Sequence, residues 1–236
     1  AEPAEGQNPE LLGLLASIGI KKGQPFKPDA RMKKILTEAA DVGAATVRTL
    51  AARPRDASFY YYPGEGVWTT PFPGGSHAFL EDGAVVLDGR AYFHFYATGI
   101  TPAMTSKMVG RGSQYAVAYT DARKKPLDGS RTYKVHLPPN VPAQDFWSFT
   151  LYDNQTRAML QTDQQFPGVS SLDEDMQQNA DGSFDVYFAP EAPAGKESNW
   201  IQTVPGKGWN MLFRLYGPLE PWFDKTWRPG DPESVD

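Results

Sequence analysis

Glu65 is the residue whose surroundings in the sequence best suit acid or base chemistry. It stands between two glycines in an aromatic segment, SFYYYPGEGVWTTPFPGGS, close to Tyr60, Tyr62 and Trp68. A carboxyl group shielded from water by aromatic rings holds its proton to higher pH, as a general acid or base requires. We therefore take Glu65 as the candidate catalytic residue; the alternative is a solvated glutamate at the tip of a loop.

The same aromatic segment predicts a ligand site. Exposed aromatic rings beside polar side chains are suited to sugars and other flat molecules. The predicted ligand-binding residues are Tyr60, Tyr62, Glu65, Trp68, Arg157 and Arg214, of which the two arginines supply guanidinium groups. Packing in the core is the alternative for the rings, because aromatic residues make up 13% of the chain and most must be buried.

Other patterns of catalytic and metal-binding residues are missing from the sequence. The histidines, His77, His94 and His136, form no HxH or HxxxH pair, so neither a metal site nor a cofactor is predicted. The serine strings GGSH and PGVSS lack the spacing of a nucleophile turn. Asp121 and Asp153 end predicted strands, where an aspartate commonly accepts hydrogen bonds from turn N–H groups.

Composition excludes several functional classes. The 236 residues carry a formal net charge of -5 and no basic stripe, which argues against nucleic-acid binding and against attraction to a membrane surface. The absence of cysteine excludes disulfides, thiolate metal sites and thiol nucleophiles. The longest apolar run, LLGLLASIGI, is too short to cross a bilayer and lacks the basic start of a signal peptide. We therefore expect a mature chain or a fragment.

Helices are predicted in the first hundred residues. A first-turn proline and a run of leucines indicate a short helix over 9–19. Apolar residues that recur every three or four positions indicate a longer helix from Asp29 to the residue before Pro54. Residues 84–98 are assigned to a third helix, with a hairpin around Asp88 as the alternative.

Alternation of apolar and polar residues dominates the rest of the chain and predicts β-strands. The runs are QYAVAYTD, RTYKVHL, DFWSFTLYD, GSFDVYFAP, NWIQTV and WNMLFRLYGPLEPWFDKTW, separated by turn residues. Several such strands form stacked or closed antiparallel sheets. The predicted domains are a helical segment with the aromatic loop, 1–110, and a β-domain, 111–236.

The β-rich part of the sequence resembles a bacterial family. The strings YTDARKKPLDGSRTYKVHLPPNVPAQDFWSFTLYD and DGSFDVYFAPEAPAGKESNWIQTVPGKGWNMLFRLYGPLEPWFDKTWRPGDPE are similar to the domain of unknown function 1214. The helical block before them resembles the segment that precedes this domain in longer members, which carry a further N-terminal domain, the domain of unknown function 1254. This chain lacks that domain, so it is read as a short member or as the C-terminal part of a longer protein. The resemblance implies a mainly β structure, a jelly-roll-type antiparallel β-sandwich preceded by a helical segment, and no established activity or cofactor.

Three functions remain open at this point. The first is the binding of a polar or amphipathic ligand, such as a glycan, in a cleft between the helical segment and the sandwich. The second is a hydrolase that uses Glu65 as general acid or base in that cleft. The third is a structural or assembly role in a larger envelope protein, as a homo-oligomer or with a further domain. The resemblance favours a periplasmic or cell-envelope location.

Overall fold

The computed structural model of the chain describes residues 9–97 and 99–235. These residues fall into two compact units, which divide between Thr46 and Val47. The domain boundary predicted at 110/111 stays a prediction. In the second unit, Val67 and Trp68 belong to the same buried cluster as the strands that follow them, so the aromatic segment is part of the β-rich core.

The first two helices form where they were predicted. Helix α1 spans Pro9–Ser17 and helix α2 spans Ala30–Ala52. The Asp29 carboxylate accepts a hydrogen bond of 2.7 Å from the Met32 N–H, which satisfies one of the free donors at the start of α2. Each described residue of α1 keeps part of its surface exposed, including its four leucines.

The region assigned to a third helix divides between strand and helix. Strands β1, Leu80–Glu81, and β2, Ala84–Val85, form a short antiparallel hairpin, and helix α3 follows at Leu87–Tyr96. The predicted helix is thus confirmed over these ten residues, while residues 84 and 85 are strand; position 98 lies outside the described residues. Gly89 allows α3 to approach Pro73, because a Cβ at this position would lie 2.5 Å from the proline ring.

Two four-stranded sheets make up most of the second unit. Their strands are β3 Ser113–Ala118, β4 Tyr133–Leu137, β5 Ala143–Asp153, β6 Gly168–Ser170, β7 Phe184–Ala189, β8 Trp200–Gln202, β9 Trp209–Pro218 and β10 Glu233–Ser234. One sheet has the order β10-β4-β7-β8 and the other β3-β9-β5-β6. All pairs are antiparallel except β7 with β8, which is parallel. Two further short α-helices are α4 Pro102–Thr105 and α5 Glu220–Phe223.

All six strand runs predicted from alternation contain strands, although the last run ends in a short helix at Glu220–Phe223. The strands β1, β2, β6 and β10 were not predicted. Each of these four has only two or three residues, too few to show a period. Strand β9 shows why the longer runs were readable. Trp209, Met211, Phe213 and Leu215 are buried at every second position, and they alternate with Asn210, Leu212, Arg214 and Tyr216.

Both large sheets bury residues in one hydrophobic cluster. Strands β4 and β7 contribute Val135, Leu137, Val186 and Phe188, and strands β5 and β9 contribute the residues at their own inward positions. Burying each Leu, Val or Phe side chain contributes roughly 1.5–3 kcal/mol. The tail residues Trp222 and Trp227 join this cluster, and the Trp227 indole N–H lies 3.2 Å from the carbonyl oxygen of Pro139.

The sheet that contains β3, β9 and β5 is covered on its other side as well. Tyr119 and Val117 of the β3 region pack there with Tyr92 of α3, with Phe59 and with Ala51 near the end of α2. We call this side the outer face of the sheet. Across residues 9–97 and 99–235, every helix is too short or too polar to span a membrane.

Candidate functional site

The outer face presents rows of side chains from three neighbouring strands. In register, Tyr115 of β3 lies opposite Arg214 of β9, Val117 lies opposite Leu212, and Asn210 of β9 lies opposite Tyr152 of β5. Since side chains alternate between the two sides of a sheet, these residues all point away from the main core. The outer face therefore carries tyrosines, an arginine and an amide where a solvated sheet would carry small polar residues.

Helix α3 does not pack tightly against the whole outer face and leaves a cavity of about 270 Å³, here called the α3 cavity. Its apolar walls include Phe72, Phe93, Val117 and Leu212. Its polar groups come from Tyr92, Tyr96, Tyr119, Tyr152, Arg157 and Asn210. Among the described residues that line it there is no aspartate, glutamate or histidine, so the cavity joins aromatic walls to neutral and positive polar groups.

Asn210 is the most unusual of these polar groups. The residue is only 4% exposed, yet its side-chain oxygen Oδ1 has no hydrogen-bond partner in the described part of the chain. A buried polar atom without a partner costs about 1–3 kcal/mol relative to one that is hydrogen-bonded. Because Asn210 lines the α3 cavity, a molecule in the cavity could supply the missing hydrogen bond.

Three tyrosines form a hydrogen-bonded network beside Asn210. The hydroxyl oxygens of Tyr92 and Tyr119 lie 3.3 Å apart, and the Tyr96 hydroxyl also interacts with that of Tyr119. Burial raises the pKa of Tyr92 to about 12 and raises the pKa of Tyr96. Burial, followed by the neighbouring Tyr92 and Tyr96, holds the pKa of Tyr119 well above its ordinary value. These phenols are therefore neutral at physiological pH and act as hydrogen-bond donors and acceptors.

Arg157 is held at the cavity by a turn that follows β5. The Asp153 carboxylate accepts hydrogen bonds from the N–H groups of Gln155 and Thr156, at 2.7 and 3.0 Å, as predicted for an aspartate at a strand end. The Arg157 backbone adopts a left-handed conformation with φ of 65°, and its guanidinium carbon lies 4.4 Å from the centre of the Phe95 ring. This geometry is a cation–π contact, which fixes the positive charge at the wall of the cavity.

The other predicted site residues of the aromatic segment lie in a different place. Residues 227–231 of the C-terminal tail cover this part of the segment, and Trp68 is fully buried, with its indole N–H donating to the Gly230 carbonyl at 3.0 Å. The Tyr62 hydroxyl donates to the Trp227 carbonyl at 3.3 Å. Both rings therefore stabilise the junction between segment and tail, and Trp68 has no surface left for a ligand.

Glu65 is exposed at this junction. Its side chain is 78% accessible, and its carboxylate lies 3.6 Å from the Arg228 guanidinium. Arg228 also stacks over the Tyr62 ring, at 4.7 Å from the ring centre, and lies 3.3 Å from the Asp231 carboxylate. The hydrophobic shielding expected around Glu65 is not found, because the neighbouring rings turn inward towards the core.

Tyr60 lines a separate cavity of about 350 Å³ with Arg53 and Lys124. The Tyr60 hydroxyl donates to the Pro54 carbonyl at 3.1 Å, and an Arg53 N–H donates to the Lys124 carbonyl at 2.9 Å. These groups already satisfy one another in part. The α3 cavity, with its unpartnered amide, is therefore the stronger candidate for a binding site.

Arg214 lies on the outer face beside the α3 cavity. Its guanidinium carbon is 4.8 Å from the centre of the Tyr115 ring and 4.2 Å from that of the Tyr216 ring. One N–H donates to the Ser113 hydroxyl at 3.2 Å. Of the predicted ligand-binding residues, the structure thus places Arg157 at the α3 cavity and Arg214 beside it, and it places Tyr62, Glu65 and Trp68 at the tail junction.

The strands that form the outer face fall within a region of known sequence similarity. Residues 112–220 match the family described as a protein of unknown function, DUF1214. The predicted resemblance is therefore confirmed over these residues. The DUF1214 region supplies Tyr115, Tyr119, Tyr152, Arg157 and Asn210 to the α3 cavity, whereas helix α3 precedes it.

Two crystal structures are similar over most of the chain. The VPA0106 protein from Vibrio parahaemolyticus shares 20% sequence identity and a TM-score of 0.47, with 97% of this chain and 51% of that chain covered. An uncharacterised protein from Burkholderia cenocepacia shares 16% identity and a TM-score of 0.41, with 96% and 48% covered. The chain thus spans about half the length of these two proteins. No curated protein matches the chain.

Sequence analysis missed Asn210 and the tyrosines of α3 as site residues. One signal for the site was present in the run QYAVAY. Its alanines lie on one side of the strand, and its tyrosines and valine lie on the other, so neither side is polar. A strand without a polar side is covered on both sides. The His136 ring nitrogen lies 2.8 Å from the Asp185 carboxylate. Among the described residues, no group of three or more histidines and carboxylates could hold a metal ion.

Proposed function

We propose that this protein binds a small amphipathic molecule in the α3 cavity, between helix α3 and the outer face of the sheet. The observation that carries the proposal is the Asn210 side chain, which is 4% exposed, lines the cavity and leaves its oxygen without a partner. Natural proteins rarely retain such a group unless it has a task. A ligand N–H or O–H group that reaches Asn210 would remove the cost of its burial.

The walls of the cavity indicate what kind of molecule fits. A volume of about 270 Å³ is near the lower end of the range of ligand pockets, about 300–1,000 Å³, so the ligand is small. Aromatic and aliphatic walls favour a flat apolar body, such as an aromatic ring or the apolar face of a single sugar ring. The tyrosine hydroxyls and the Asn210 amide favour a ligand with one or more hydrogen-bonding groups.

Binding is favoured over hydrolysis by the lining of the same cavity. Hydrolysis by general acid–base catalysis needs a carboxyl group or a histidine within reach of the scissile bond. The described residues of the α3 cavity offer neither, and the Glu65 carboxylate lies in solvent beside Arg228. The assembly role, as a homo-oligomer or as part of a larger envelope protein, stays a prediction that sedimentation analysis of the purified chain would test.

We also propose that the two large sheets stack as a jelly-roll-type sandwich. The proposal is supported by the single buried cluster to which both sheets contribute. The parallel pairing of β7 with β8 departs from the all-antiparallel pattern of a regular jelly roll.

A cavity-filling variant tests the binding proposal. Ligand-observed NMR with a library of small aromatic and sugar fragments is expected to reveal saturable binders of the wild-type chain. Leu212→Trp places an indole in the α3 cavity and is expected to abolish binding of these fragments. Leu172→Trp is the matched control, because Leu172 is 65% exposed and does not line the cavity.

Thermal melting must first show that both variants are folded. If the fragments bind Leu212→Trp as well as they bind wild type, the α3 cavity is not the binding site. If no fragment binds the wild-type chain, the proposed function itself is wrong.

A further inference from the structure

We propose that the ligand of the α3 cavity is an anion, the carboxylate of a small hydrophobic acid, and that Arg157 and Arg48 receive its charged group. This inference rests on the proposed function and adds the chemical class of the ligand to it. The expected complex has the apolar body against the walls of the cavity, a hydrogen bond to Asn210 and the carboxylate beside the guanidinium groups.

The first support is that two arginines converge on one aromatic ring. The guanidinium carbon of Arg157 lies 4.4 Å from the centre of the Phe95 ring, and that of Arg48 lies 5.8 Å from the same centre. Both positive charges also act on the Tyr96 phenol, where they oppose the rise of its pKa caused by burial. Tyr96 and Arg157 line the α3 cavity. Arg48 lies behind this lining, at the Phe95 ring and near the Tyr96 phenol that it shares with Arg157.

The second support is that these charges have no anionic partner. Within residues 9–97 and 99–235, every ion pair found involves other residues, so neither Arg48 nor Arg157 has a carboxylate within 4.0 Å. The Nε atom of Arg48 is buried without a hydrogen-bond partner, and the Nε–H of Arg157 makes only a long contact of 3.4 Å with the Thr156 carbonyl.

Two guanidinium groups near one ring repel each other, and an anion between or beside them lowers that energy. The cation–π contacts with Phe95 act in the same favourable sense. Arg157 is exposed, so water also solvates its charge. No acidic side chain lines the cavity among the described residues, so an anionic ligand would add the compensating charge. A carboxylate suits the guanidinium group because its two oxygens can accept two parallel N–H hydrogen bonds.

The test compares probes that share a shape and differ in charge. Isothermal titration calorimetry would measure 4-methylbenzoate, its neutral isostere 4-methylbenzamide, and 4-methylphenyl phosphate against the full chain. We expect the benzoate to bind about ten- to a hundredfold more tightly than the benzamide, the range for hydrogen bonds that involve a charged group. The double variant R48Q/R157Q is expected to bind both probes equally.

Two further variants test whether the preference for the benzoate depends on the guanidinium groups of the cavity. Arg157→Lys retains the charge without the planar fork, so it should keep part of the preference for the benzoate. Arg111→Gln removes an exposed arginine that does not line the cavity, and it should leave the preference unchanged. Melting temperatures within a few degrees of wild type would show that the variants are folded.

Each other outcome overturns a stated part of the proposal. Equal affinity of wild type for benzoate and benzamide would refute the anionic ligand and leave the proposed function standing. Tighter binding of the aryl phosphate than of the benzoate would refute the carboxylate. If none of the probes binds and the fragment library also contains no binder, the proposed function and this inference are both refuted.

Discussion

The two faces of the sheet β3-β9-β5 differ in how completely they are packed. The inner face is closed: Phe149, Met211 and Phe213 have no exposed surface and lie in one continuous core. The outer face is covered by α3 and the end of α2, and yet it retains a cavity of about 270 Å³. Protein interiors are normally close-packed. The inner face is therefore packed for stability, whereas the outer face has looser packing, as the proposed binding site requires.

Two buried asparagines show the same contrast at the level of hydrogen bonds. Asn199 and Asn210 are each 4% exposed. The Asn199 amide donates to the carbonyls of Gln177 and Asp185, at 2.8 and 3.0 Å, and its oxygen accepts from the Gln177 N–H at 2.8 Å. The Asn210 oxygen has no such partner in the described chain. Asn199 therefore holds segments together, whereas the Asn210 oxygen is left for the proposed ligand.

The largest expected effect is on the closed face. Phe213→Ala should lower the free energy of unfolding by about 3–5 kcal/mol, because it leaves a cavity in a rigid core. Leu212→Ala, on the outer face, should cost less than half as much, since its side chain already borders empty space. Urea unfolding followed by fluorescence measures both. Equal losses would mean that the two faces are packed alike.

The next effect compares the two asparagines. Asn199→Leu should lower the free energy of unfolding by about 2–4 kcal/mol, since it removes the hydrogen bonds to Gln177 and Asp185 and leaves these buried groups without partners. Asn210→Leu should instead raise it by about 1 kcal/mol, because it removes a buried polar atom that has no partner. Chemical denaturation without ligand gives both values. A loss of stability in Asn210→Leu similar to that in Asn199→Leu would contradict the binding role.

A smaller effect appears at alkaline pH. An unfolded tyrosine loses its proton near pH 10, whereas burial raises the pKa of Tyr92 to about 12 in the folded chain. The stability that comes from this difference is complete below pH 10 and is lost as the pH rises towards 12. Over this range each such tyrosine lowers the free energy of unfolding by about 1.4 kcal/mol per pH unit.

Between pH 10 and 12 the free energy of unfolding of Tyr92→Phe should therefore fall less steeply than that of wild type. The expected difference in slope is about 1.4 kcal/mol per pH unit, which corresponds to one proton. Denaturation at several pH values between 9 and 12 measures the slope. Phe188→Leu, at the inner core, is the control: it should lower stability at every pH and leave the slope unchanged. An unaltered slope in Tyr92→Phe would show that the phenols of the outer face are not shielded from water.

The smallest effect is expected at Glu65. Glu65→Gln should change the free energy of unfolding by less than about 0.5 kcal/mol, because an exposed ion pair contributes little. It should also leave the affinity of any α3-cavity ligand unchanged, since Glu65 does not line that cavity. Calorimetry on this variant compares the tail junction with the outer face directly. A loss of activity or of ligand affinity in this variant would show that Glu65 belongs to the functional site.

Local sequence patterns predicted the long strands and the first two helices, because alternation and helical periodicity record which side of each element is buried. They also predicted that Asp153 accepts hydrogen bonds from the N–H groups of a turn. They did not reveal that Trp68 meets Gly230, since nothing in the segment around Trp68 indicates which distant residue covers it. Asn210 escaped notice for a similar reason: a polar residue at an outward strand position looks solvated until a helix is known to cover that face.

The hydrogen bond between the Trp68 indole and the Gly230 carbonyl joins residues 162 positions apart. A ribosome synthesises Trp68 long before Gly230. The Trp68 ring therefore lacks its final packing partner while most of the β-strands are synthesised. Contacts of such high sequence separation slow folding, because the intervening chain must be ordered before the contact can form. We therefore expect closure of the segment around Gly230 over Trp68 to be a late step of folding. Nascent chains that stop short of residue 230 should accordingly bind chaperones more strongly than chains that extend well beyond it.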